Sequence, residues 1–547
     1  VATEQRTDDL SHVRGGDQPP LLTETIGAAL RRRADGQPEH EALVSCSQGI
    51  RWTYRELLAH ADAVARGLLA AGVRPGDRVG IWSPNRAEWT LVQHATARIG
   101  AVLVTINPAY RSSELRYVLD QSGCRVLVAA QRFKSSDYRA ILAEVRDELR
   151  HLERTAWLDD PSWEALIDGG AASDDDAVER IGAGLEPDDP INIQYTSGTT
   201  GLPKGATLTH RNILNNGLLV GAACGYGPAD RICVPVPFYH CFGMVMGTLA
   251  ALAHGATVVI PSEAFEPAAA LEAVARERCT SLYGVPTMFI AMLADPGFGD
   301  HDLATLRTGI MAGSPCPEAV MRRVIDELHM PEVTICYGMT ETSPVSTQTA
   351  ADDPLEQRTG TVGRVHPHVE VRVVDPATGE TLPRGETGEL CTRGYSVMRG
   401  YHEDPERTAE AIDPEGWMHT GDLATIDAEG YVRIVGRSKD MIIRGGENVS
   451  PREIEEFLYA HPDIADVQVI GVPDERLGEE IMAWVVPRPG ASPDPEAIRE
   501  HCRGAIAHYK VPRYVHVTDA FPMTVTGKVQ KYRMREMAVE ELGIGSA

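Results

Sequence analysis

Ile191-Asn192-Ile193-Gln194-Tyr195-Thr196-Ser197-Gly198-Thr199-Thr200-Gly201-Leu202-Pro203-Lys204-Gly205 is the stretch from which the rest of the chain can be read. Ile191 to Tyr195 has the character of a buried strand, and the loop after it is predicted to enter a helix near Thr209, a suitable N-cap. Three glycines let backbone N–H groups converge on an anion, four hydroxyls add donors, and Lys204 adds a point charge. Thr196, Ser197, Gly198, Thr199, Thr200, Gly201 and Lys204 therefore form a candidate polyphosphate cradle. The spacing is not that of a Walker loop, because Pro203 stands where the second glycine would be. Gly/Ser/Thr runs are ordinarily flexible surface turns; the embedded Pro-Lys directly after a buried strand favours the cradle.

Outward from this loop, helical and strand patterns alternate. Tyr54 to Ala71 and Glu88 to Ile99 have helical periodicity, while Arg78 to Trp82, Ala101 to Ile106, Cys124 to Ala129 and Ser281 to Val285 are short apolar runs. That rhythm predicts crossover units and largely parallel sheets, hence an α/β protein. From about Gly360 short strands separated by Gly, Pro and Asp turns predict a β-rich subdomain. Beyond Arg437 to Asp440 a βαββαβ pattern of about 100 residues is long enough for its own domain. The expected organisation is a large N-terminal domain over 1–437, a hinge at 438–440 and a small C-terminal α+β domain over 441–547.

The formal charge of −26 argues against a protein that coats nucleic acid or an anionic membrane. Only six of the 52 basic residues are lysines (Lys134, Lys204, Lys439, Lys510, Lys528, Lys531), so each deserves scrutiny. Lys531, Arg533 and Arg535 read as a solvated charge run. Ten scattered cysteines without a Cys-x-x-Cys read as buried small hydrophobes of a reducing, cytoplasmic compartment. The first twenty residues contain no apolar run, which predicts no secretory signal, and the initial Val suggests a trimmed end. Gly243 to Pro261, interrupted by Thr248, His254 and Gly255, reads as a core helix and strand rather than a membrane span.

Further motifs follow the loop in order: Phe238-Tyr239-His240, Tyr337-Gly338-Met339-Thr340-Glu341, Thr420-Gly421-Asp422, Gly436-Arg437-Ser438-Lys439-Asp440, and Pro522 to Gly527-Lys528. Tyr337 offers a face for a purine, and Gly313-Ser314-Pro315 offers backbone polar groups to its edge. Asp422 could accept ribose hydroxyls, Arg437 could hold ribose or phosphate, and Glu341 is an oxygen ligand suited to Mg²⁺. Taken singly, these residues would more often be structural ion pairs or solvent-facing groups.

Six motifs in this order resemble the adenylate-forming superfamily of acyl-CoA synthetases, firefly luciferases and peptide-synthetase adenylation domains, over nearly the whole chain. The resemblance implies a two-step ligase using ATP, Mg²⁺ and coenzyme A. It assigns catalytic roles to Lys528, His240, Thr340 and Glu341, and ATP contacts to the cradle, Gly313, Ser314, Pro315, Tyr337, Gly338, Met339, Asp422, Ile434 and Arg437. It also makes Lys439 the hinge of a mobile C-terminal domain and places Gly445 and Gly446 at a pantetheine tunnel.

Amino-acid-activating relatives carry Asp where this chain has Tyr239, which disfavours an α-amino acid. Tyr239, Val285, Gly309 and Met311 are expected in an apolar acyl pocket. Likeness to medium-chain fatty acyl-CoA synthetases, carried by Pro20 to Ala29, Tyr239 to Gly243 and Thr334 to Thr347, implies a medium-chain fatty acid. The alternatives are an aromatic acid, nitrite activated for an aryl amine, or delivery to a carrier protein. The expected partners are thus small molecules, with no nucleic acid and no integral membrane segment; a homo-oligomer is compatible with the reading.

Overall fold

A computed structural model describes residues 9–171, 176–196, 203–314, 316–437, 440–444, 447–474, 476–503, 505–524 and 528–544, excepting the side chains of 437, 447 and 448. Two large sheets dominate. One has nine strands in the order Arg364–Val365, Val345–Gln348, Glu332–Gly338, Thr308–Ala312, Ser281–Gly284, Arg231–Cys233, Thr257–Ile260, Glu41–Ser45 and Ile50–Thr53. Its central strands, from Glu332–Gly338 to Glu41–Ser45, are mutually parallel. The other has seven: Gly400–Tyr401, Lys204–Thr209, Pro190–Thr196, Val102–Thr105, Arg78–Trp82, Cys124–Ala129 and Arg154–Trp157, the last five parallel. Helices cover these sheets, as parallel strands buried on both faces require. The helix Ala87–Ile99 is buried along nearly its whole length between neighbours.

A five-stranded antiparallel sheet is the β-rich subdomain: His12–Arg14, Val369–Val374, Gly388–Gly394, Met418–Ile426 and Val432–Arg437. The smaller sheet after it joins Glu447–Val449, Ile442–Arg444, Gly478–Pro487, Ile464–Asp474 and Tyr514–Val517. Its two apolar clusters contain no residue before Ile442, so this unit has a core of its own. The architecture is the expected one: a large α/β N-terminal portion with a β-rich part, and a small α+β C-terminal portion. Among the described residues no helix is long and apolar enough to cross a membrane.

Three local expectations change. The cradle loop does not lead straight into a helix: Lys204–Thr209 is a strand, antiparallel to Pro190–Thr196, with Lys204 opposite Thr196. The helix follows as His210–Ala223, with Thr209 Oγ1 accepting from Asn212 N–H as its cap. The helical part of Gly243 to Pro261 begins one residue earlier, as a π-helix over Phe242–Leu249; a Cβ on Gly243 would lie 2.4 Å from the Pro237 oxygen, so glycine is required there. Finally, Lys531 is not simply solvated. It opens the helix Lys531–Leu542, and its ammonium is 2.6 Å from buried Glu455 and donates to the Val469 carbonyl at 3.1 Å.

Candidate active site

The carboxyl ends of neighbouring strands in the two large sheets supply the site, where ligands bind in open α/β sheets. Thr196 ends its strand, Ala312 precedes Gly313-Ser314, Gly284 precedes Val285, and Tyr337-Gly338 closes Glu332–Gly338. Thr340 and Glu341 lie buried in a short 3₁₀ turn just beyond. The Tyr401 hydroxyl donates to Glu341 Oε1 at 2.8 Å, and Lys204 Nζ lies 5.0 Å from the centre of the same ring. Tyr401 thus ties the lysine of the cradle to the buried carboxylate. Burial, and then the charge of Glu341, push the Tyr401 phenol upward, keeping it a donor.

At the end of the strand Glu332–Gly338 the Tyr337 hydroxyl donates to Asp422 Oδ2 at 2.6 Å. Asp422 is buried and faces Arg437 in the strand register. The turn before it is held by Thr420 Oγ1, which donates to the Leu390 carbonyl at 2.6 Å and accepts from Asp422 N–H at 3.1 Å. Gly338 cannot be replaced without movement, because its Cβ would lie 1.8 Å from the Pro344 oxygen. Ile434 is half-buried on the strand Val432–Arg437, and Met339 is half-buried beside Thr340.

On the other side Phe242 N–H donates to His240 Nδ1 at 3.2 Å, which places the ring proton on Nε2. Burial, and secondarily the Lys528 ammonium, depress His240 to about 3, so the imidazole is neutral. Buried Tyr239 accepts from Gln194 Nε2 through its carbonyl at 2.6 Å, and the Cys241 thiol donates to Gln194 Oε1. Gln194 therefore pins the Tyr239 to Cys241 segment to the strand that leads into the cradle. Lys528 reaches this place from the small C-terminal portion: its Cε lies 3.8 Å from the position of a Cβ on Gly313. Its backbone is fixed by paired bonds with Thr524, Lys528 N–H to Thr524 Oγ1 at 3.0 Å and Thr524 N–H to the Lys528 carbonyl at 2.7 Å.

The structure brings together Lys528, His240, Gly313 and Val285, whose Cγ1 would lie 3.1 Å from that same Cβ. Met311 is fully buried on the neighbouring strand. Gly309 has a separate constraint: its Cβ would fall 2.1 Å from the Leu282 oxygen, so close strand packing alone demands glycine. Ser197 to Gly201, Pro315, the Arg437 side chain, Lys439, Gly445 and Gly446 lie outside the described residues. Sequence reading missed Tyr401 and Gln194, which no local pattern marks as site residues.

Residues 30–402 match the AMP-binding enzyme family and residues 453–528 its C-terminal domain, the latter ending on Lys528. The chain is 46% identical to a protein described as putative acyl-CoA synthetase YngI of Bacillus subtilis, with 96% of this chain and 99% of that protein aligned. It is 41% identical to the human mitochondrial medium-chain acyl-CoA ligase ACSF2, over 98% of this chain and 91% of the relative. Among solved structures, the anthranilate CoA ligase AuaEII with anthranoyl-AMP superposes with a TM-score of 0.86 at 26% identity, covering 96% of this chain and 99% of the other. ATP-bound MatB from Rhodopseudomonas palustris gives 0.83 at 32%, covering 95% and 100%. The chain belongs to the AMP-binding enzyme family, among its ATP-dependent acyl-CoA synthetases.

Proposed function

We propose that the protein joins a medium-chain fatty acid to coenzyme A through an acyl-AMP intermediate. The observation that carries this reading is the convergence of Lys528 with His240 and Gly313 beside the strand ends. A carboxylate lying between His240 and Lys528 would attack the α-phosphorus of ATP, and pyrophosphate would leave. The Lys528 ammonium offsets the charge that builds on the phosphoryl oxygens, an electrostatic effect worth most in a site shielded from water. Neutral His240 supplies an Nε2–H donor without adding a second cation beside Lys528. The coenzyme A thiol, losing its proton, then attacks the acyl carbon and releases AMP.

Tyr337 would stack on adenine, Asp422 would accept the ribose hydroxyls, and Lys204 with Thr196 would hold phosphate. The buried Glu341 carboxylate, oriented by Tyr401, has the hard-oxygen chemistry that Mg²⁺ takes together with phosphate and water. When bound, that ion would neutralise phosphate charge. The separate core of the unit after Ile442 supports its moving between two half-reactions about Lys439. All ten cysteines are free and nine are buried, which supports a reducing, cytoplasmic setting.

A medium-chain substrate rests on the ACSF2 relative at 41% identity and on the apolar character of Val285 and Met311. Pyrophosphate release should be measured across fatty, aromatic and hydroxy acids, with and without coenzyme A, and with nitrite plus an aryl amine. Medium-chain acids with coenzyme A should give the fastest turnover. Turnover that coenzyme A fails to stimulate with any acid would remove the thioester step, and a preference for aromatic acids or nitrite would replace the substrate.

A further inference from the structure

In the antiparallel sheet that carries Asp422, Cys391 stands directly opposite His419, and Glu389 is two residues before Cys391 on the adjoining strand segment. This register brings three different donor atoms to one place. His419 Nδ1 is 3.0 Å from Glu389 Oε2 and 3.5 Å from Cys391 Sγ, and all three atoms lie within 4.8 Å of one another. In a tetrahedral zinc site a nitrogen and an oxygen ligand are about 3.3 Å apart and a nitrogen and a sulfur about 3.6 Å, from the usual bond lengths. The two separations from His419 Nδ1 agree to a few tenths of an ångström. Among the described residues no other trio of His, Cys and carboxylate donors meets this way.

We propose that Glu389, Cys391 and His419 form a binding site for a thiophilic divalent cation of the zinc class, with water as the fourth ligand. Charge supports it. A carboxylate, a thiolate and a neutral imidazole balance a dication; of the nearby guanidinium groups, Arg393 is paired with Glu370 at 3.0 Å, and Arg372, which also lies against Cys391, is paired with Asp413 at 3.2 Å. Burial, followed by the Glu389 charge, raises the Cys391 thiol to about 12, so the group is protonated before binding. Binding replaces the S–H bond by an S–metal bond and releases that proton to solvent, with no change of oxidation state. Cys391 is buried while Glu389 and His419 are partly exposed, so the cluster borders on solvent.

The other oxygen of Glu389 accepts from Gly421 N–H at 3.0 Å. A bound cation would therefore reach the Thr420-Gly421-Asp422 turn through one carboxylate, the role usual for groups just outside a metal's ligand shell. The competing arrangement is an imidazolium of His419 held between Glu389 at 3.0 Å and Asp413 at 3.9 Å.

Cobalt(II) separates the two. The full-length protein, first stripped with a chelator, should bind about one equivalent and develop an intense near-ultraviolet thiolate-to-cobalt band together with tetrahedral visible bands, both removed by added Zn²⁺. Cys391→Ser should lose the thiolate band, and half-exposed His419→Asn should weaken binding by at least about tenfold, with far-ultraviolet circular dichroism unchanged for both. Absence of a thiolate band at every cobalt ratio, or its persistence in Cys391→Ser, would overturn the site. The assay reads cobalt spectra, so failure of the acyl-CoA reading would leave its outcome untouched.

Discussion

The Lys528 ammonium and the His240 imidazole lie close together, and burial favours the neutral form of the imidazole. Burial and the neighbouring ammonium hold the imidazole neutral, so the one positive charge of this pair is the lysine's. Lys528→Ala should lower acid-dependent ATP–pyrophosphate exchange by about 10²–10³-fold or more, while thioester formation from supplied acyl-AMP persists. Equal loss of both half-reactions would defeat that division of labour. The sequence singles out Lys528 because lysine is scarce and this one follows Gly527 in an ordered motif. Its surroundings are not legible there. Glu341 meets Tyr401 across 60 residues and Tyr337 meets Asp422 across 85, separations over which no local pattern carries information. The run at Lys531 misled for the same reason, since its partner Glu455 is 76 residues away.

At the scale of elements, glycines without side-chain room mark where backbones meet. A Cβ at Gly309 would be 2.1 Å from a carbonyl oxygen of the adjacent strand, whereas one at Gly379 would meet nothing within 4 Å. Gly309→Ala should therefore destabilise the fold by about 3 kcal/mol or more, and Gly379→Ala, with a φ of +73°, by only about 1–2 kcal/mol. Chemical denaturation of both variants measures the contrast; equal costs would mean that the strand spacing relaxes freely. Parallel strands such as Arg78–Trp82 and Cys124–Ala129 were legible to the residue, because near-complete burial imposes an apolar run interrupted only at Arg78 and Arg125. Lys204–Thr209 was not, because Lys-Gly-Ala-Thr-Leu-Thr has little β-branched bulk and becomes a strand through pairing with Pro190–Thr196 on one side and Gly400–Tyr401 on the other. The helix Lys531–Leu542 was hidden by its charges; only Met534 and Ala538, one turn apart, are buried against the sheet.

At the scale of the whole molecule, burial holds several of the described histidines neutral, most strongly His94, His210 and His366, depressed to about 4, and His240, depressed to about 3. His94 Nδ1 and His366 Nδ1 are buried without a hydrogen-bond partner, so a proton added there would have nothing to compensate it, and one added to His210 Nδ1 would displace the bond it accepts from Ile26 N–H at 3.2 Å. Because these groups bind protons more readily when unfolded, stability falls as pH drops below the unfolded value near 6.5, and continues to fall toward the folded values. Each should cost about 1–2 kcal/mol between pH 7 and 5, opposed by Asp466, which burial raises to about 6. The thermal unfolding midpoint should therefore decline clearly over that range; a flat profile would contradict the buried neutral assignment. The small C-terminal unit touches the rest at an instructive place. Ser450 Oγ donates to the Val435 carbonyl at 2.6 Å and Arg452 to the Ile434 carbonyl at 2.9 Å, both on the strand whose Arg437 faces Asp422. If Asp422 and Arg437 hold the nucleotide as proposed, its grip and the docking of this unit draw on one ribbon of backbone. On the proposed assignment, thermodynamic reciprocity makes each report on the other: whatever factor docking adds to ATP affinity, ATP adds to docking.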